Sequence, residues 1–392
     1  MISALPGPAV DQHALTAPDP AVRLTAYRRA SGFLVRSGER AEVSVQAVPA
    51  LLELVRDPGV VDKDATMMLL CDIAVGQQVD CLEDPPDWPA RRREVARKQR
   101  LSVADLEREA EQRERARGTA HLAERLEMLG LEDQDLNREL ERAGVRAYDQ
   151  VRAGMPTFVE LLRSPNPLYR LYAAYLVAFF PEDRDTTAPA LAELLGKDEA
   201  APGITATASV AAGMIGMRGD RRLIDALERH LAGDDQIERW GAAIGLSALL
   251  HDPDADVLVL VDECCFDGPS EIAYFPFLDG ELHDVAVCFY LRARPRAPAA
   301  RSLLLRRLAE PSLVEHSLRL VVLALEEFFP QVRTVPPPYA LLSEEQRQVC
   351  RSFARHRVLD TVPTARNQLA RHGLPATQPA LEEWIAADRL WG

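Results

Sequence analysis

Short amphipathic helices recur along the chain, and leucine-rich stripes mark them. Four segments carry apolar residues three or four positions apart, and they span 48–55, 155–162, 188–195 and 223–231. This spacing places the apolar side chains on one face of an α-helix. Each segment therefore predicts a short helix with one buried side.

A polar break and a second, more apolar helix follow each of these segments. The second helices are predicted at 62–75, 168–180, 204–215 and 237–250. Alanine and glycine are frequent in the middle of these helices, which allows neighbouring helices to approach closely. Leu162 precedes Leu195 by 33 residues and Leu195 precedes Leu231 by 36 residues, an interval typical of a helix-turn-helix repeat.

The junctions between the paired helices carry aspartate and arginine at recurring positions. These residues are Asp19, Arg23, Asp57, Arg170, Asp234 and Arg239. The pattern resembles HEAT repeats, in which an Asp-containing turn precedes a helix that opens with Val-Arg. It is also similar to large bacterial HEAT proteins, some of which resemble phycobilin lyase subunits in their repeat type. The resemblance implies an α-α superhelix whose Asp and Arg tie successive repeats together, although the repeat at Ile204 has no Arg near Thr205.

The sequence thus predicts an all-α fold, a HEAT-repeat solenoid interrupted by a charged helical insertion. The expected segments are N-terminal repeats at 1–75, the insertion at 76–147, further repeats at 148–335 and capping helices at 336–392. The third segment is divergent at 253–298. Terminal helices are expected to cover the exposed end of a repeat array.

The charged insertion contains a basic run, 91–100, with six positive charges and one negative charge. Opposite charges three and four residues apart stabilise a solvated helix, which is the favoured interpretation of the mixed-charge sequence around this run. A partly disordered insertion is the alternative. The run could also contact RNA, an acidic protein or the acidic remainder of the chain.

Aromatic residues on the second helices and in the divergent part are the candidates for partner contact. They are Tyr172, Tyr175, Phe179, Trp240, Tyr274 and Phe277. Aromatic side chains are enriched at the centres of protein interfaces. The alternative is that they fill the core, with Tyr172 and Tyr175 packed between adjacent repeats and the residues near Tyr274 filling an irregular junction.

Charge and targeting signals narrow the class of partner. The chain has 46 basic and 60 acidic residues and a net charge of −14, which disfavours nucleic acid as a ligand. No stretch has the length of a membrane span, and residues 1–10 lack the pattern of a signal peptide. The six cysteines form no disulfide framework, so a cytoplasmic location is expected.

No constellation of residues predicts catalysis, a metal or a cofactor. Cys264, Cys265, His283 and Cys288 lack the Cys-x-x-Cys spacing of a zinc site and are expected to be buried. No Gly-x-Ser-x-Gly elbow is present, and no histidine is followed by Glu, as the HEAT-like iron hydroxylases require. We therefore predict a non-enzymatic solenoid that binds a protein partner on its concave face, as a scaffold or as a regulatory or immunity-type binder. The alternative is an enzyme or accessory subunit that handles a small hydrophobic ligand near 274–290.

Overall fold

The computed structural model is all-helical apart from one two-residue β ladder. It describes residues 10–36, 39–76, 78–83, 85–117, 133–197, 199, 201–251, 253–267, 271–293, 298–309, 318–330, 336–362 and 365–387. The ladder pairs β1 (Val35–Arg36) with β2 (Glu39–Arg40) in antiparallel register. Within the described residues, no helix combines the length and the apolar character that crossing a membrane requires.

The described helices run in chain order from Gln12 to Ala387. They are α1 (Gln12–Leu15), α2 (Pro20–Leu34), α3 (Glu42–Arg56), α4 (Lys63–Val75), α5 (Gln78–Glu83), α6 (Trp88–Lys98), α7 (Val103–Arg117), α8 (Gln134–Arg152), α9 (Met155–Leu161), α10 (Pro167–Val177), α11 (Arg184–Leu194), α12 (Pro202–Ile215), α13 (Arg221–Leu231), α14 (Gln236–Leu249), α15 (Ala255–Asp267), α16 (Leu282–Ala293), α17 (Pro298–Ala309), α18 (Leu318–Phe328), α19 (Glu344–Arg355), α20 (Val358–Thr361), α21 (Ala365–Arg371) and α22 (Gln378–Ala387).

Two compact units make up the chain. Unit 1 contains Met1–Arg100 and Leu136–Ala293, and unit 2 contains Leu101–Asp135 and Arg294–Gly392. The segment predicted as an insertion, 76–147, contributes to both units. Its first part and its last part pack with the helix pairs of unit 1.

Polar caps begin the second helices of unit 1, close to the predicted starts. The side chains of Asp19, Asn166 and Asp235 each accept hydrogen bonds from backbone N–H groups in the first turn of α2, α10 and α14. Such caps satisfy donors that have no partner within the helix. The four predicted second helices are confirmed as α4, α10, α12 and α14, with ends that differ by up to three residues.

The helices of unit 1 pack as pairs, and the pairs contact one another. The pairs are α3 with α4, α9 with α10, α11 with α12, α13 with α14, and α15 with α16. The second members contact each other in the order α4, α10, α12, α14 and α16. Glycine allows the closest approach, because an added Cβ at Gly245 of α14 would lie 2.4 Å from the Ser209 carbonyl oxygen of α12. The second helices therefore form one continuous layer.

Unit 2 has its own apolar core. Helix α17 packs against α18 and α19, α18 packs against α21, and α19 packs against α22. Leu304, Leu308, Val349 and Phe353 have no exposed surface. Helices α19 to α22 lie within 336–392, the segment in which the sequence predicts helices.

Candidate functional site

Four of the six candidate contact aromatics lie in the core of unit 1. Tyr175 and Phe277 are 0% exposed, Phe179 is 3% exposed and Trp240 is 7% exposed. The Phe277 ring lies edge-on to Tyr175 with centroids 5.0 Å apart, and it is tilted against Phe179 at 5.9 Å. These four side chains therefore pack in the core. For Tyr175 this is the alternative interpretation given above, packing between helix pairs.

The segment 271–280 brings Phe277 onto the second-helix layer. Tyr274, Leu278 and Asp279 have positive φ values of 62°, 47° and 57°. Residues with side chains rarely adopt this left-handed conformation, and surrounding contacts must hold it in place. An added Cβ at Gly203 would lie 2.2 Å from the Ala273 carbonyl oxygen. Glycine at the start of α12 therefore allows the segment to lie directly on that helix.

Two tyrosines and one methionine remain accessible on or beside this layer. Tyr274 is 52% exposed and Met68 of α4 is 44% exposed. Tyr172 of α10 is half-buried and lies edge-on to Tyr175 with ring centroids 6.5 Å apart. Burial, with a smaller effect from the charge of Asp64, raises the pKa of Tyr172.

Helix α4 also carries the most perturbed carboxyl group of the second-helix layer. Burial and the nearby Asp279 raise the pKa of Asp72 to about 7. Burial likewise raises the pKa of Asp64, which lies about two turns earlier on the same side of α4. In the part of the chain that the structure describes, neither carboxylate forms an ion pair. We call Asp64, Met68, Asp72, Tyr172 and Asp279 the acidic face.

A buried hydroxyl lies behind the acidic face. The Tyr175 hydroxyl is fully buried, and its hydrogen-bonding neighbour is the Cys71 thiol. Burial, together with Cys71 and Asp72, raises the pKa of Tyr175 well above its usual value.

Arginines at the predicted motif positions join consecutive helix pairs. Arg23 lies 2.6 Å from Asp62, and it donates to a carbonyl oxygen in the loop before its own helix at 2.9 Å. Arg170 has the same arrangement, with Glu199 at 2.6 Å and a loop carbonyl at 2.7 Å. Each guanidinium thus binds its own loop and an acid from a later part of the chain. These contacts are structural.

The remaining motif residues have more local roles. Asp19 caps α2 and Asp57 ends α3, and each accepts a backbone N–H at 2.8 Å. Asp234 is exposed, and the cap of α14 is the next residue, Asp235. Arg239 donates to Gln236 Oε1 and to the carbonyl oxygen of Leu231 at the end of α13, and it has no carboxylate partner in the described part of the chain. The motif is therefore fully developed only at Arg23 and Arg170.

The basic run of the insertion is anchored to the rest of unit 1 by an aromatic stack that was not predicted from the sequence. Trp88, at the start of α6, is 2% exposed and stacks on Tyr148 of α8 with centroids 3.6 Å apart. Tyr148 in turn stacks on Phe180 at 4.6 Å. The sequence does contain a signal for this packing, because Trp88 and Val95 are seven residues apart and therefore lie on one face of the helix.

Ion pairs bind the same helix to the acids of unit 1. Arg92 bridges Asp149 at 2.9 Å and Glu182 at 2.7 Å, and Lys98 lies 2.6 Å from Glu141. These basic groups are therefore already paired. The run contacts the chain's own acidic body, which was one of the interpretations open from the sequence.

Metal-ligating side chains form one small group among the described residues. Ligand atoms of Glu281, His283 and Asp284 lie within 4.8 Å of one another. Cys264, Cys265 and Cys288 are buried free thiols, as the sequence predicted. Acidic groups of this size are common without a metal, so the geometry alone assigns no ion.

Unit 2 contains a cavity of about 490 Å³. Its wall includes Phe329, Pro337, Leu342 and His372. The Nδ1 atom of His372 lies 2.7 Å from the Phe329 carbonyl oxygen. A carbonyl can only accept, so Nδ1 carries the proton in the neutral imidazole and Nε2 is left as an acceptor. The volume is within the range of small-molecule sites.

Comparison of the chain with protein-family models gives no match, and comparison with curated proteins gives no significant match.

Proposed function

We propose that unit 1 is an α-solenoid of HEAT type that binds a protein partner on its second-helix layer. The observation that supports this most directly is the continuous contact of α4, α10, α12, α14 and α16. A row of second helices gives an extended surface, which is how repeat proteins obtain affinity. In this proposal the protein is a scaffold or regulatory binder with no reaction of its own.

The side chains proposed to contact the partner are Met68, Tyr172 and Tyr274. Tyrosine and methionine are enriched in the cores of protein interfaces. The buried aromatics Tyr175 and Phe277 support these residues from below and are not contact residues in this proposal.

Affinity purification from lysate of the native host tests the proposal. The chain and its variant Met68→Ala/Tyr172→Ala are each used as bait, and the recovered proteins are quantified. The control is Val259→Ala on α15, which removes a 55% exposed apolar side chain from the first-helix layer. We expect a partner that is lost with the double variant, is retained with the control and binds again after purification. Equal recovery with all three baits would contradict the proposal.

The cavity of unit 2 favours a second candidate function, the binding of a small apolar ligand with one hydrogen-bond donor directed at His372. Leu342→Trp, which fills the cavity, tests it. Native mass spectrometry of protein purified from its host is expected to find a bound small molecule in the parent chain and none in the variant. A ligand-free mass for the parent chain, with no thermal shift across metabolite pools, would remove this candidate.

A further inference from the structure

The contacts that join consecutive helix pairs in unit 1 do not all use the same cation. Arg23 and Arg170 each lie 2.6 Å from a carboxylate of a later part of the chain. Arg239, at the matching position of α14, has no carboxylate partner among the residues that the structure describes. At this junction a histidine, His230, joins α13 and α14 to the preceding helix pair.

Both ring nitrogens of His230 face hydrogen-bond acceptors. Nδ1 lies 3.0 Å from Glu238 Oε2, and Nε2 lies 2.7 Å from the carbonyl oxygen of Leu195. A carbonyl oxygen and an ionised carboxylate can only accept, and a neutral imidazole has a single N–H to donate. The ring therefore makes both hydrogen bonds at once only as an imidazolium, with a hydrogen on each nitrogen.

The ends of three helices favour this imidazolium–carboxylate pair. His230 lies in the last turn of α13 and Leu195 directly follows α11, so the ring lies at the carbonyl ends of two helices. Glu238 lies in the first turn of α14. Helix dipoles favour a cation at a C-terminal end and an anion at an N-terminal end. The two side chains are 15% and 21% exposed, so water and salt screen them less than a surface pair.

The other charged groups of this junction ordinarily keep one charge between about pH 5 and pH 8. Glu238 is the described carboxylate that contacts the ring. The others are Glu193 and Lys197 at the end of α11, Glu228 and Arg229 on α13, and Asp234, Asp235 and Arg239 around the start of α14. Glu193 is paired with Arg163 at 2.7 Å, and Asp235 caps α14. The imidazole is therefore the group whose charge changes in this range.

We propose that His230 is a pH-sensitive clamp within unit 1. When the ring is protonated, it holds the end of α11, the end of α13 and the start of α14 together. When the ring is neutral, one of the two hydrogen bonds is lost. Histidine ordinarily changes charge between pH 5 and 8 and arginine does not, so this junction responds to pH in that range whereas the contacts of Arg23 and Arg170 do not.

The direction of the effect follows from linkage between protonation and folding. The protonated ring makes two hydrogen bonds in the folded chain and neither in the unfolded chain, so binding of the proton favours the folded state. Stability from the clamp is therefore present at acidic pH, and it is lost as the pH rises through the titration of the imidazole.

Long-range ¹H–¹⁵N NMR of the full chain measures the protonation of the ring, because imidazolium and the two neutral tautomers give different nitrogen signals. The His230 signals are assigned by their absence from His230→Gln, and the exposed His13 of α1 is the internal reference. We expect His230 to carry hydrogens on both nitrogens up to a higher pH than His13 does. A His230 ring that becomes neutral at the same pH as His13, or at a lower pH, would overturn the proposal.

Glu238→Gln tests the consequence for stability. The amide of glutamine can donate to Nδ1 of a neutral ring, so the variant closes the clamp without a proton. Urea unfolding at pH 5.5 and pH 8 gives the factor by which the variant raises the unfolding equilibrium constant of the parent chain. We expect this factor to be at least about threefold larger at pH 5.5 than at pH 8. Contributions that are the same at both pH values cancel in this comparison, and so does the titration of Asp72, which both chains contain.

The matched control is Glu228→Gln, which removes an exposed carboxylate from α13 two residues before His230. Its factor should be the same at both pH values. An equal factor at both pH values for Glu238→Gln as well would overturn the proposal. A double-mutant cycle of His230→Gln with Glu238→Gln gives the coupling directly, and we expect a coupling of at least about threefold at pH 5.5 that disappears at pH 8. A coupling that is unchanged at pH 8 would show an ordinary hydrogen bond without a pH-sensitive clamp.

Discussion

At the scale of single residues, Asp72 gives the clearest link between burial and stability. Its folded pKa of about 7 lies above the unfolded value near 3.8, so the folded chain holds a proton that the unfolded chain releases. Stability from this group is therefore present at acidic pH and is lost as pH rises through the folded pKa. Above about pH 7 the charged, half-buried carboxylate destabilises the fold.

We predict that Asp72→Asn stabilises the chain at pH 8 and stabilises it less at pH 5, where the folded carboxyl is still protonated. The expected gain is about 1–2 kcal/mol, less than the full pKa difference implies, because the side chain keeps part of its contact with water. Urea unfolding at pH 5, 6, 7 and 8 measures it. Asp234→Asn, at an exposed site, serves as control and should give a difference that does not vary with pH. A variant less stable than the parent chain at pH 8 would contradict the assignment.

Single residues were predicted from the sequence to different degrees. Arg23 and Arg170 lie where the repeat pattern placed them and make matching contacts. The sequence left open whether Tyr175 is buried or contacts a partner, because the residue that covers it, Phe277, is 102 positions away in the numbering and approaches through a left-handed turn. Helical periodicity reports only the neighbours within a helix.

At the scale of elements, the contact between α12 and α14 depends on glycine. An added Cβ at Gly241 would lie 2.6 Å from Ala206 Cα, and at Gly245 it would lie 2.4 Å from the Ser209 carbonyl oxygen. Backbone atoms cannot move aside as a flexible side chain can. The helices would have to separate, and the packing on both sides of the contact would be lost.

Gly245→Ala is expected to destabilise the chain by about 2–3 kcal/mol, although alanine is the better helix former. Gly32→Ala in α2 is the matched change, because no atom lies within 4 Å of its added Cβ. There we expect a neutral effect or a gain of about 0.5–1 kcal/mol. Chemical denaturation measures both variants. A stabilised Gly245→Ala would show that α12 and α14 are not in close contact.

The packing of helix α6 on unit 1 can also be tested by substitution. Trp88→Ala removes the ring that stacks on Tyr148 and leaves a cavity, so we expect a loss of about 3–4 kcal/mol. Arg93→Ala removes an exposed side chain from the same helix and should change stability by less than about 0.5 kcal/mol. Thermal unfolding compares the two. Similar small effects would mean that α6 does not pack on unit 1.

The elements themselves were largely predictable, and the docking of α6 was not. The apolar second helices are evident from their composition and from polar caps such as Asn166 and Asp235. Helix α6 is dominated by charge, and its buried side chains are two apolar residues, Trp88 and Val95. Two apolar residues among so many charged ones do not distinguish a helix that packs on the core from a helix that is fully solvated.

At the scale of the whole molecule, the division into units depends on contacts distant in sequence. Unit 2 joins 101–135 with 294–392, and unit 1 joins the first hundred residues with 136–293. Composition predicted that 76–147 differs from the repeats, and the structure divides this segment between the two units. It could not indicate which parts of that segment pack with which helices, because both parts are rich in charge.

Net charge acts over the whole molecule, and it determines how the melting temperature depends on salt concentration. The chain has a net charge of −14, and residues 1–293 hold 50 acidic and 32 basic residues. Self-repulsion of this kind destabilises a compact state, and salt screens it over about 8–10 Å at physiological ionic strength. Salt also weakens attractive pairs such as Arg92 with Glu182. These pairs are partly buried and short, so screening affects them less than it affects the unpaired acids.

We therefore expect the melting temperature at pH 8 to rise by about 2–4 °C between about 20 mM and about 300 mM NaCl, equivalent to about 1 kcal/mol. Potassium chloride at the same ionic strength should give the same rise, because screening does not depend on the identity of the monovalent cation. Asp72→Asn/Asp279→Asn should show a smaller rise, since part of the repulsion is already removed. A melting temperature that falls with salt would mean that ion pairs dominate, and the acidic face would then contribute little to the electrostatic energy of the fold.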